Sequence, residues 1–485
     1  MGLSTKTDTL IATLIDEWEK STPACQTTFN VHNPASGSII ATLPDMDETQ
    51  TKKAIDIAEQ GFHDWSAINK GERIKLMHTW AELVARYQSE LARLLTEEQG
   101  KPLAQAQSEI TWVIALIKKH AEQANAIHGY LPTPESQGIE TLVIKEPIGI
   151  IGMITPWNFP AGISTSGISA SIGAGNSVIC KTSEETPLTV AAIVALAWRA
   201  GIPKSVIQYL TSNHPEKIGK VFCEDKRIGM ISFTGSTTTG QTLYRDSSAS
   251  VKKLLLELGG NSPFIVFDDA ALDKAVKHAA ALKFKNCGQI CVNANRFIIH
   301  EKIYDQFVAA FVKYAKAQVI GNGLVPETTM GPLINQKGLD KVEYLVNSAI
   351  KDGAKVACGG KRMKENTLFY LPTVLTDVQP NMEIFTSEIF GPVATCYRFK
   401  TDEEAIEMAN DTDHGLAAYL YTGSLARSFK IGRAIQAGSV AVNTTDFGNG
   451  PFGGFKQSGI GRTSGHIDAL EPYCETKTLN IKTLV

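Results

Sequence analysis

The sequence lacks the features of a membrane-spanning, nucleic-acid-binding or disulfide-rich protein. No apolar run approaches the roughly 18 residues that a helix needs to cross a bilayer. Lysine and arginine total 47 and aspartate and glutamate total 50, so the net charge of −3 offers no basic surface for nucleic acid or an anionic membrane. The 8 cysteines are scattered through 485 residues, which excludes a disulfide scaffold. We therefore expect a globular protein of a reducing, cytoplasmic compartment.

Two kinds of short signal are also missing. Residues 1–20 alternate charged and apolar positions, so we expect no signal peptide. Neither a Cys-x-x-Cys nor a His-x-x-x-His spacing occurs, so we predict no metal site. The whole sequence is 43% hydrophobic and 20% charged, as in ordinary globular proteins. Its length corresponds to about two to four domains.

Hydrophobic periodicity predicts a helical first quarter followed by two α/β blocks. Apolar residues at helical spacing follow Asp45 and Asp47 and continue, with a break at residues 100–102, to His128. From Thr141 onward short apolar strands alternate with helices, and a second such block begins at residue 264 and ends near Val442. The alternation predicts an α/β fold of parallel sheets covered by helices on both faces, with ligands at the carboxyl ends of the strands.

Three polar side chains follow predicted strands or loops in a pattern that suits thiol chemistry. Cys291 lies in the stretch FKNCGQICVN, between a predicted helix and a predicted strand. A nucleophilic thiol needs a proton acceptor and donors for the oxyanion that it creates. Glu257 ends an apolar strand, where burial would raise its pKa towards neutrality, although alone it also fits a solvated acid. Asn158 lies in the turn TPWNFP and offers an amide NH₂, although that turn alone also fits a purely structural role.

Two further strand ends suit a dinucleotide. Gly235 and Ser236 lie where a strand enters a helix, so free N–H groups there could face a pyrophosphate, although a Gly-Ser-Thr turn is common. Lys181 and Glu184 follow another strand, where the carboxylate could accept hydrogen bonds from ribose hydroxyls. A negative charge at that place would repel a 2′-phosphate, which favours NAD over NADP.

Taken together, the ordered motifs of nearly the whole chain resemble the aldehyde dehydrogenase superfamily. They are the Asn158 turn, residues 181–184 (KTSE), 235–237 (GST), 257–260 (ELGG), 288–291 (GQIC), 388–392 (EIFGP) and 451–459 (PFGGFKQSG). The resemblance implies two Rossmann-like, doubly wound parallel-sheet domains and a small β oligomerisation arm. The implied limits are 1–129 with 148–258 for the NAD-binding domain, 259–459 for the catalytic domain, and 130–147 with 473–485 for the arm.

The same resemblance implies a reaction and a set of residues. Cys291 would attack an aldehyde to give a thiohemiacetal, Asn158 and the Cys291 N–H would hold its oxyanion, and a hydride would pass to NAD, or to NADP. Glu257 would then activate the water that hydrolyses the thioester to a carboxylic acid. The residues implied to bind the cofactor are Thr155, Trp157, Asn158, Lys181, Ser183, Glu184, Gly235, Ser236, Leu258, Glu388 and Phe390.

Within the superfamily, residues 98–104 (EQGKPLA) look most like the succinate-semialdehyde dehydrogenase branch. That branch typically has arginines where this chain has Ser166 and Lys285, and the pair holds the distal carboxylate of the substrate. Lys285 keeps one positive charge but cannot bind a carboxylate with two parallel hydrogen bonds. Ser458 matches the branch and could add one hydrogen bond. Succinate semialdehyde is the expected substrate, and an uncharged aliphatic or aromatic aldehyde is the alternative.

Other expectations concern redox chemistry and partners. The second cysteine that the branch often has two residues after the nucleophile is Asn293 here, so that pairing is not available. Cys287 either lines the pocket or forms a reversible disulfide with Cys291. The expected partners are a small aldehyde and further copies of the chain, as a homodimer or homotetramer, with no nucleic acid and no membrane. A catalytically silent member with a structural or binding role is the alternative class, which the presence of nucleophile, base and oxyanion donor disfavours.

Overall fold

The computed structural model describes residues 9–21, 25–133, 138–463 and 469–482. Helices occupy most of the first quarter, as the periodicity predicts. The elements of this region are α1 (Thr9–Ser21), β1 (Thr28–His32), β2 (Ile39–Pro44), α2 (Glu48–Ala67), α3 (Lys70–Arg86), α4 (Gln88–Gln99) and α5 (Leu103–Ala124).

Asp47 is the N-cap of α2, at the place where the acidic turn predicts a helix start. Its side chain accepts hydrogen bonds from the main chain of Thr49 and Gln50, and the Gln50 side chain accepts one from the Asp47 N–H at 3.1 Å. This reciprocal pair satisfies N–H groups that a helix start leaves free. Asp45 has a different role, because its carboxylate accepts from Ser212 and Asn213 instead.

The antiparallel hairpin of β1 and β2 is absent from the sequence-based prediction. Its strands have only 5 and 6 residues, and β1 buries alternate positions only. Segments this short give little periodicity to read.

Strands and helices alternate in the next block, again as predicted. The elements are β3 (Ile139–Pro147), β4 (Ile150–Thr155), α6 (Pro160–Gly173), β5 (Ser177–Thr182), α7 (Leu188–Arg199), β6 (Ile207–Leu210), α8 (Pro215–Glu224), β7 (Ile228–Thr234), α9 (Thr237–Asp246) and β8 (Lys253–Glu257).

The second block contains the remaining elements, among them a short 3₁₀ turn (Lys285–Gly288) between α10 and β10 and another at Glu471–Tyr473. The elements are β9 (Ser262–Val266), α10 (Leu272–Phe284), β10 (Ala294–His300), α11 (Tyr304–Lys316), α12 (Gln336–Lys351), β11 (Lys355–Cys358), β12 (Thr373–Thr376), α13 (Glu383–Thr386), β13 (Val393–Phe399), α14 (Asp402–Asn410), β14 (His414–Gly415), β15 (Ala417–Tyr421), α15 (Leu425–Ala434), β16 (Ser439–Val442), β17 (Phe455–Lys456), β18 (Gly459–Ile460) and β19 (Cys474–Lys482).

Two mainly parallel sheets organise the chain, which confirms the predicted α/β class. The first sheet has the order β18-β8-β7-β4-β5-β6, and the second has the order β11-β12-β13-β10-β9-β15-β16. One edge strand of each sheet, β18 in the first and β11 in the second, is antiparallel to its neighbour. Each sheet is associated with its own hydrophobic cluster, the first containing Trp65 and Trp80 and the second containing Phe264 and Phe297.

A separate ribbon pairs β3 with β19 in an antiparallel register of nine residue pairs, from Cys474 opposite Pro147 to Lys482 opposite Ile139. All of β19 after Cys474 is exposed. This ribbon falls within the segments expected to form the arm, and residues 134–137 and 483–485 of those segments lie outside the described residues. Among the helices of the described ranges, none is both long and apolar enough to cross a membrane.

Candidate active site

Four strand ends of the first sheet meet at one edge and carry the predicted polar residues. The strands β4, β5, β7 and β8 are parallel neighbours, so the residues that follow them emerge on the same side. Asn158 follows β4, Lys181 and Glu184 lie at the end of β5, Ser236 follows β7, and Glu257 is the last residue of β8.

The loop that carries Cys291 begins with three consecutive residues of left-handed backbone. Asn286, Cys287 and Gly288 have φ values of 49°, 55° and 77°. A Cβ at Gly288 would lie 2.0 Å from the Gly391 carbonyl oxygen, so only glycine fits there. Left-handed backbone at non-glycine residues costs energy and persists where surrounding contacts enforce it. The turn leaves the Cys291 side chain half-buried at the end of the loop.

Gln289 connects the nucleophile loop to Asn158. Its side chain accepts from the Ile334 N–H at 2.9 Å and donates to the carbonyls of Asn286 and Pro332 at 3.0 and 3.3 Å. Its own carbonyl accepts from Asn158 Nδ2 at 3.1 Å. The structure thus brings the predicted oxyanion donor against the loop that carries the predicted nucleophile.

The ELGG segment after β8 packs directly against Cys291. A Cβ at Gly260 would lie 2.2 Å from the Cys291 carbonyl oxygen, so the two main chains are in contact. The Gly260 N–H donates to Glu388 Oε1 at 2.9 Å. Glu257, Cys291 and Glu388 are therefore gathered by one short stretch of backbone.

Burial sets the protonation of the thiol and of the carboxylate. Glu257 is 6% exposed, and burial raises its pKa to about 8. Its Oε1 accepts from Thr463 at 3.4 Å, and its Oε2 has no hydrogen-bond partner within the described residues. Burial, with the charges of Glu388 and Glu257, raises the pKa of Cys291 to about 12. The thiol is therefore neutral at pH 7 and needs a proton acceptor before it can attack a carbonyl.

The residues predicted to hold the adenosine side of a dinucleotide follow β5 and β7. Lys181 is 1% exposed, and its ammonium donates to Glu184 Oε2 at 2.9 Å. Ser183 is buried beside them and accepts from the Glu185 N–H. Ser236 is the N-cap of α9 and accepts from the Thr239 N–H at 3.3 Å, while the Gly235 N–H donates to the Glu257 carbonyl.

The remaining predicted cofactor residues make contacts with one another or with neighbouring side chains. Trp157 and Phe390 meet edge to face, with ring centroids 5.5 Å apart. Phe390 has a φ of 57°, so its aromatic ring is held by a strained backbone. Leu258 packs where a Cβ at Gly240 would stand, and the Thr155 hydroxyl is bonded to that of Ser164 at 2.7 Å.

The three predicted substrate residues differ in what they can offer. Ser166 is half-buried on α6, and Lys285 is exposed at the start of the nucleophile loop. The fully buried Ser458 hydroxyl donates to the Gly259 carbonyl at 2.7 Å and accepts from the Gly415 N–H at 2.9 Å. Its only hydrogen is thus engaged by Gly259, whereas a substrate carboxylate would need a donor. The hydrogen bond from Ser458 to a substrate therefore stays a prediction, and in this structure the hydroxyl connects the ELGG segment to Gly415.

Cys287 points into the second hydrophobic cluster and is 1% exposed. Burial raises the pKa of its thiol well above the usual range. Cys287 and Cys291 are both free thiols here, and the disulfide between them stays a prediction.

Several supporting residues are missing from the sequence-based prediction. Asn286 and Gln289 lie inside the stretch that singled out Cys291, and Lys101 lies inside the EQGKPLA stretch, but no role follows from their spacing. Glu109 gives no signal at all, because a glutamate within a helical pattern is ordinarily exposed.

A thiol, a buried carboxylate and a side-chain amide at the edge of a parallel sheet define an α/β protein with a cysteine–glutamate site. The family model described as "Aldehyde dehydrogenase family" matches residues 18–479, and the chain belongs to that family.

Several proteins are similar to this chain over most of its length. It is 41% identical over 455 residues to succinate-semialdehyde dehydrogenase [NADP(+)] GabD of Escherichia coli (strain K12), covering 93% of this chain and 94% of the relative. It is 42% identical over 456 residues to glutarate-semialdehyde dehydrogenase of Pseudomonas putida KT2440, covering 94% of each. The crystal structure of succinate-semialdehyde dehydrogenase from Burkholderia pseudomallei superposes with a TM-score of 0.93 at 40% identity, covering 95% of this chain and 96% of that one.

Proposed function

We propose that this chain oxidises succinate semialdehyde to succinate with a nicotinamide dinucleotide, and that Cys291, Glu257 and Asn158 perform the chemistry. The observation that carries the proposal is the contact between Gly260 and the Cys291 carbonyl, which holds the strand-end carboxylate and the thiol in one rigid unit. A preorganised group of this kind is what covalent catalysis by a thiol requires.

Cys291, Glu257 and Asn158 have distinct roles in the proposed reaction, and Glu257 acts twice. Cys291 Sγ loses its proton to Glu257 Oε2, which is buried and unpartnered, and forms a bond to the carbonyl carbon of the aldehyde. The resulting oxyanion is held by the Cys291 N–H and by Asn158 Nδ2, whose second hydrogen remains after the bond to Gln289. Loss of a hydride to the dinucleotide would turn the thiohemiacetal into a thioester, and Glu257 releases the proton from Cys291 to solvent. The ionised Glu257 then takes a proton from the water that hydrolyses the thioester, which frees Cys291 and the carboxylic acid.

The strand ends of the first sheet fit a nicotinamide dinucleotide. The N-terminus of α9, capped by Ser236, presents N–H groups suited to a pyrophosphate, and Lys181 with Glu184 suits ribose hydroxyls. Glu388 and the Trp157–Phe390 pair would hold the nicotinamide ribose and ring, as the family resemblance implies. When bound, the dinucleotide supplies the hydride acceptor. Thr155, Ser183, Gly235 and Leu258 complete the proposed set.

NAD is the proposed preference over NADP. Glu184 keeps one carboxylate oxygen beyond its bond to Lys181, and about a third of its side chain is exposed. That oxygen can accept from a ribose hydroxyl, whereas a 2′-phosphate would meet a negative charge. The Lys181 ammonium works against this preference, because a positive charge would attract a 2′-phosphate. The Escherichia coli relative carries NADP in its name.

The substrate proposal rests on Lys285. Its ammonium is exposed and takes part in no hydrogen bond or ion pair within the described part of the chain, so it is available to a distal carboxylate. The names of the relatives offer both succinate and glutarate semialdehydes, which differ by one methylene. Ser166 is half-buried and carries no charge at the position where the branch typically has an arginine. This observation keeps an uncharged aliphatic or aromatic aldehyde as the second candidate.

Steady-state NADH formation tests the proposal. Purified protein is assayed with succinate semialdehyde, glutarate semialdehyde and uncharged aldehydes of the same lengths, each with NAD and with NADP. The proposal expects kcat/KM for a semialdehyde to exceed that of its uncharged counterpart by at least about tenfold. Higher kcat/KM values for the uncharged aldehydes would select the second candidate, and no turnover of any aldehyde would support the catalytically silent class.

The domain roles and the assembly belong to the same proposal. The first sheet, with 1–129 and 148–258, would bind the cofactor, and 259–459 would carry the nucleophile. The ribbon of β3 and β19 would extend a neighbouring copy's sheet in a homodimer or homotetramer, because a lone two-stranded ribbon with exposed faces is only marginally stable. Light scattering after size exclusion measures the oligomer directly. A cytoplasmic location suits the eight free thiols.

A further inference from the structure

A buried ion pair lies beneath the Asn158 turn and has no part in the chemistry described so far. Lys101 Nζ and Glu109 Oε2 are 2.6 Å apart, and their side chains are 0% and 1% exposed. Burying two charges is costly unless both find further hydrogen bonds. The remaining contacts of each partner therefore indicate what the pair holds in place.

The Lys101 ammonium is bonded to the backbone of the predicted oxyanion donor. It donates to the Asn158 carbonyl oxygen at 2.7 Å. The same oxygen accepts from Asn286 Nδ2 at 3.0 Å, so both of its lone pairs are engaged. The peptide group between Asn158 and Phe159 is thus fixed by Asn286 of the nucleophile loop and by Lys101.

Glu109 fixes the other end of the same turn. Its second oxygen, Oε1, accepts from the Gly162 N–H at 3.1 Å, in the first turn of α6. Lys101 also lies over the Phe159 ring, 4.1 Å from its centroid. Residues 158–162 are therefore held by Lys101, by Glu109 and by the contact of the Lys101 ammonium with the Phe159 ring.

The Lys101 backbone is itself held rigidly. Gly100 has a φ of 90°, and a Cβ there would lie 2.8 Å from Pro332. The Lys101 N–H donates to the Gln99 side chain, and a Cβ at Gly323 would lie 2.3 Å from the Lys101 carbonyl oxygen. Segments from both halves of the chain thus set the position from which the lysine reaches Asn158.

We propose that Lys101, held by Glu109, is a positioning residue that fixes the Asn158 peptide so that the Asn158 amide is directed at the oxyanion. The inference rests on the proposed function, in which Asn158 is an oxyanion donor. A donor stabilises an oxyanion only when it is already aligned with the atom where the charge develops. Loss of the lysine would leave the amide present but poorly aligned.

The central variant is Lys101→Met/Glu109→Gln, measured alone and together with Asn158→Ala. The double change removes both charges at once, so no unpaired buried charge remains, and glutamine keeps an acceptor for Gly162. Lys252→Met is the matched control, because the Lys252 ammonium also donates to main-chain carbonyls, those of Phe222, Asp225 and Ile228. The readouts are the single-turnover rate of NADH formation, the KM for NAD and the melting temperature.

We expect the double change to lower the single-turnover rate at least about tenfold while the KM for NAD stays within about twofold. In the Asn158→Ala background the same change should cost less than about twofold, because the residue through which it acts is gone. Lys252→Met should leave the rate unchanged. An equal loss in both backgrounds, or no loss in either, would overturn the inference.

Lys101→Gln/Glu109→Gln keeps the test decisive where the methionine variant does not fold, because it also leaves no unpaired buried charge and places a polar side chain in the polar site. It should lower the rate less, with the same dependence on Asn158, and an unchanged rate would overturn the inference. Failure of the proposed function is a separate outcome. It would appear as normal activity of Asn158→Ala in the otherwise unchanged chain, whatever the Lys101 variants do.

Discussion

Gly260 lies against Cys291 so closely that a Cβ at position 260 would stand 2.2 Å from the Cys291 carbonyl oxygen. The same glycine donates its N–H to Glu388 at 2.9 Å. A methyl group there must displace either the nucleophile loop or the ELGG segment. The glycine therefore sets the distance between the thiol and the residues that surround it.

Gly260→Ala is expected to lower kcat/KM at least about 100-fold, since a displacement of about 1 Å costs that much when groups must be aligned. Gly432→Ala is the control, because Gly432 lies in α15 and an added Cβ would meet no heavy atom within 4 Å beyond its chain neighbours and the adjacent helix backbone. Steady-state kinetics and thermal melting of both variants provide the measurement. Activity of Gly260→Ala close to that of the unchanged protein would mean that the contact does not position Cys291.

The pKa of about 8 for Glu257 predicts the pH dependence of the reaction. A carboxyl group can accept a proton only in its ionised form, which is the minor form below its pKa. We expect kcat/KM to rise with pH up to about 8, by at most about tenfold per pH unit, and then to level off.

Glu257→Gln tests which group causes this dependence. It should lower the overall rate and remove the inflection near pH 8, because glutamine does not titrate. Glu97→Gln is the comparison, since Glu97 is also a partly buried glutamate whose pKa is raised by burial. An inflection that persists in Glu257→Gln would assign the titration to another group.

Ser166 and Lys285 predict how the chain recognises a distal carboxylate. Ser166→Arg should lower the KM for succinate semialdehyde at least about fivefold, because a second cation would add charge-assisted hydrogen bonds. Ser166→Met controls for side-chain size, and Lys285→Met should raise the same KM. If the KM is unchanged in both Ser166→Arg and Lys285→Met, the carboxylate binds elsewhere.

Glu184 predicts the choice between the two dinucleotides. Glu184→Gln removes the negative charge and leaves Lys181 unpaired, so the ratio of kcat/KM for NADP to that for NAD should rise about tenfold or more. Glu185→Gln is the neighbouring control, because Glu185 is bonded to Asn335 and not to Lys181. A ratio that does not change in Glu184→Gln would place NAD discrimination at other residues.

The polar residues that could be identified from the hydrophobic pattern, among them Glu257 and Asn158, lie at or just after the end of a strand. Glu257 ends β8 and Asn158 follows β4, so their location at one edge of the sheet follows from the parallel order alone. The alternation of strands and helices predicts the α/β class for the same reason.

The residues that sequence reasoning missed act through long-range contacts. Lys101 reaches Asn158 across 57 positions of the chain, and Gln289 reaches Pro332 across 43. Ser458 is matched to the substrate by motif, yet its hydroxyl is used by Gly259 and Gly415. Which hydrogen bonds a buried side chain makes depends on tertiary packing, and periodicity carries no information about it.

Intact-mass spectrometry of the unchanged protein, acid-quenched during turnover of succinate semialdehyde with NAD, tests the central claim most directly. The thioester is the covalent intermediate between hydride loss and hydrolysis, so the acid quench should trap it before water removes it. The account predicts a mass increase equal to the acyl group, mapped to Cys291 by peptide digestion, lost in Cys291→Ala and kept in Cys287→Ala. Formation of NADH without an adduct on Cys291, or an adduct on Cys287 instead, would contradict it.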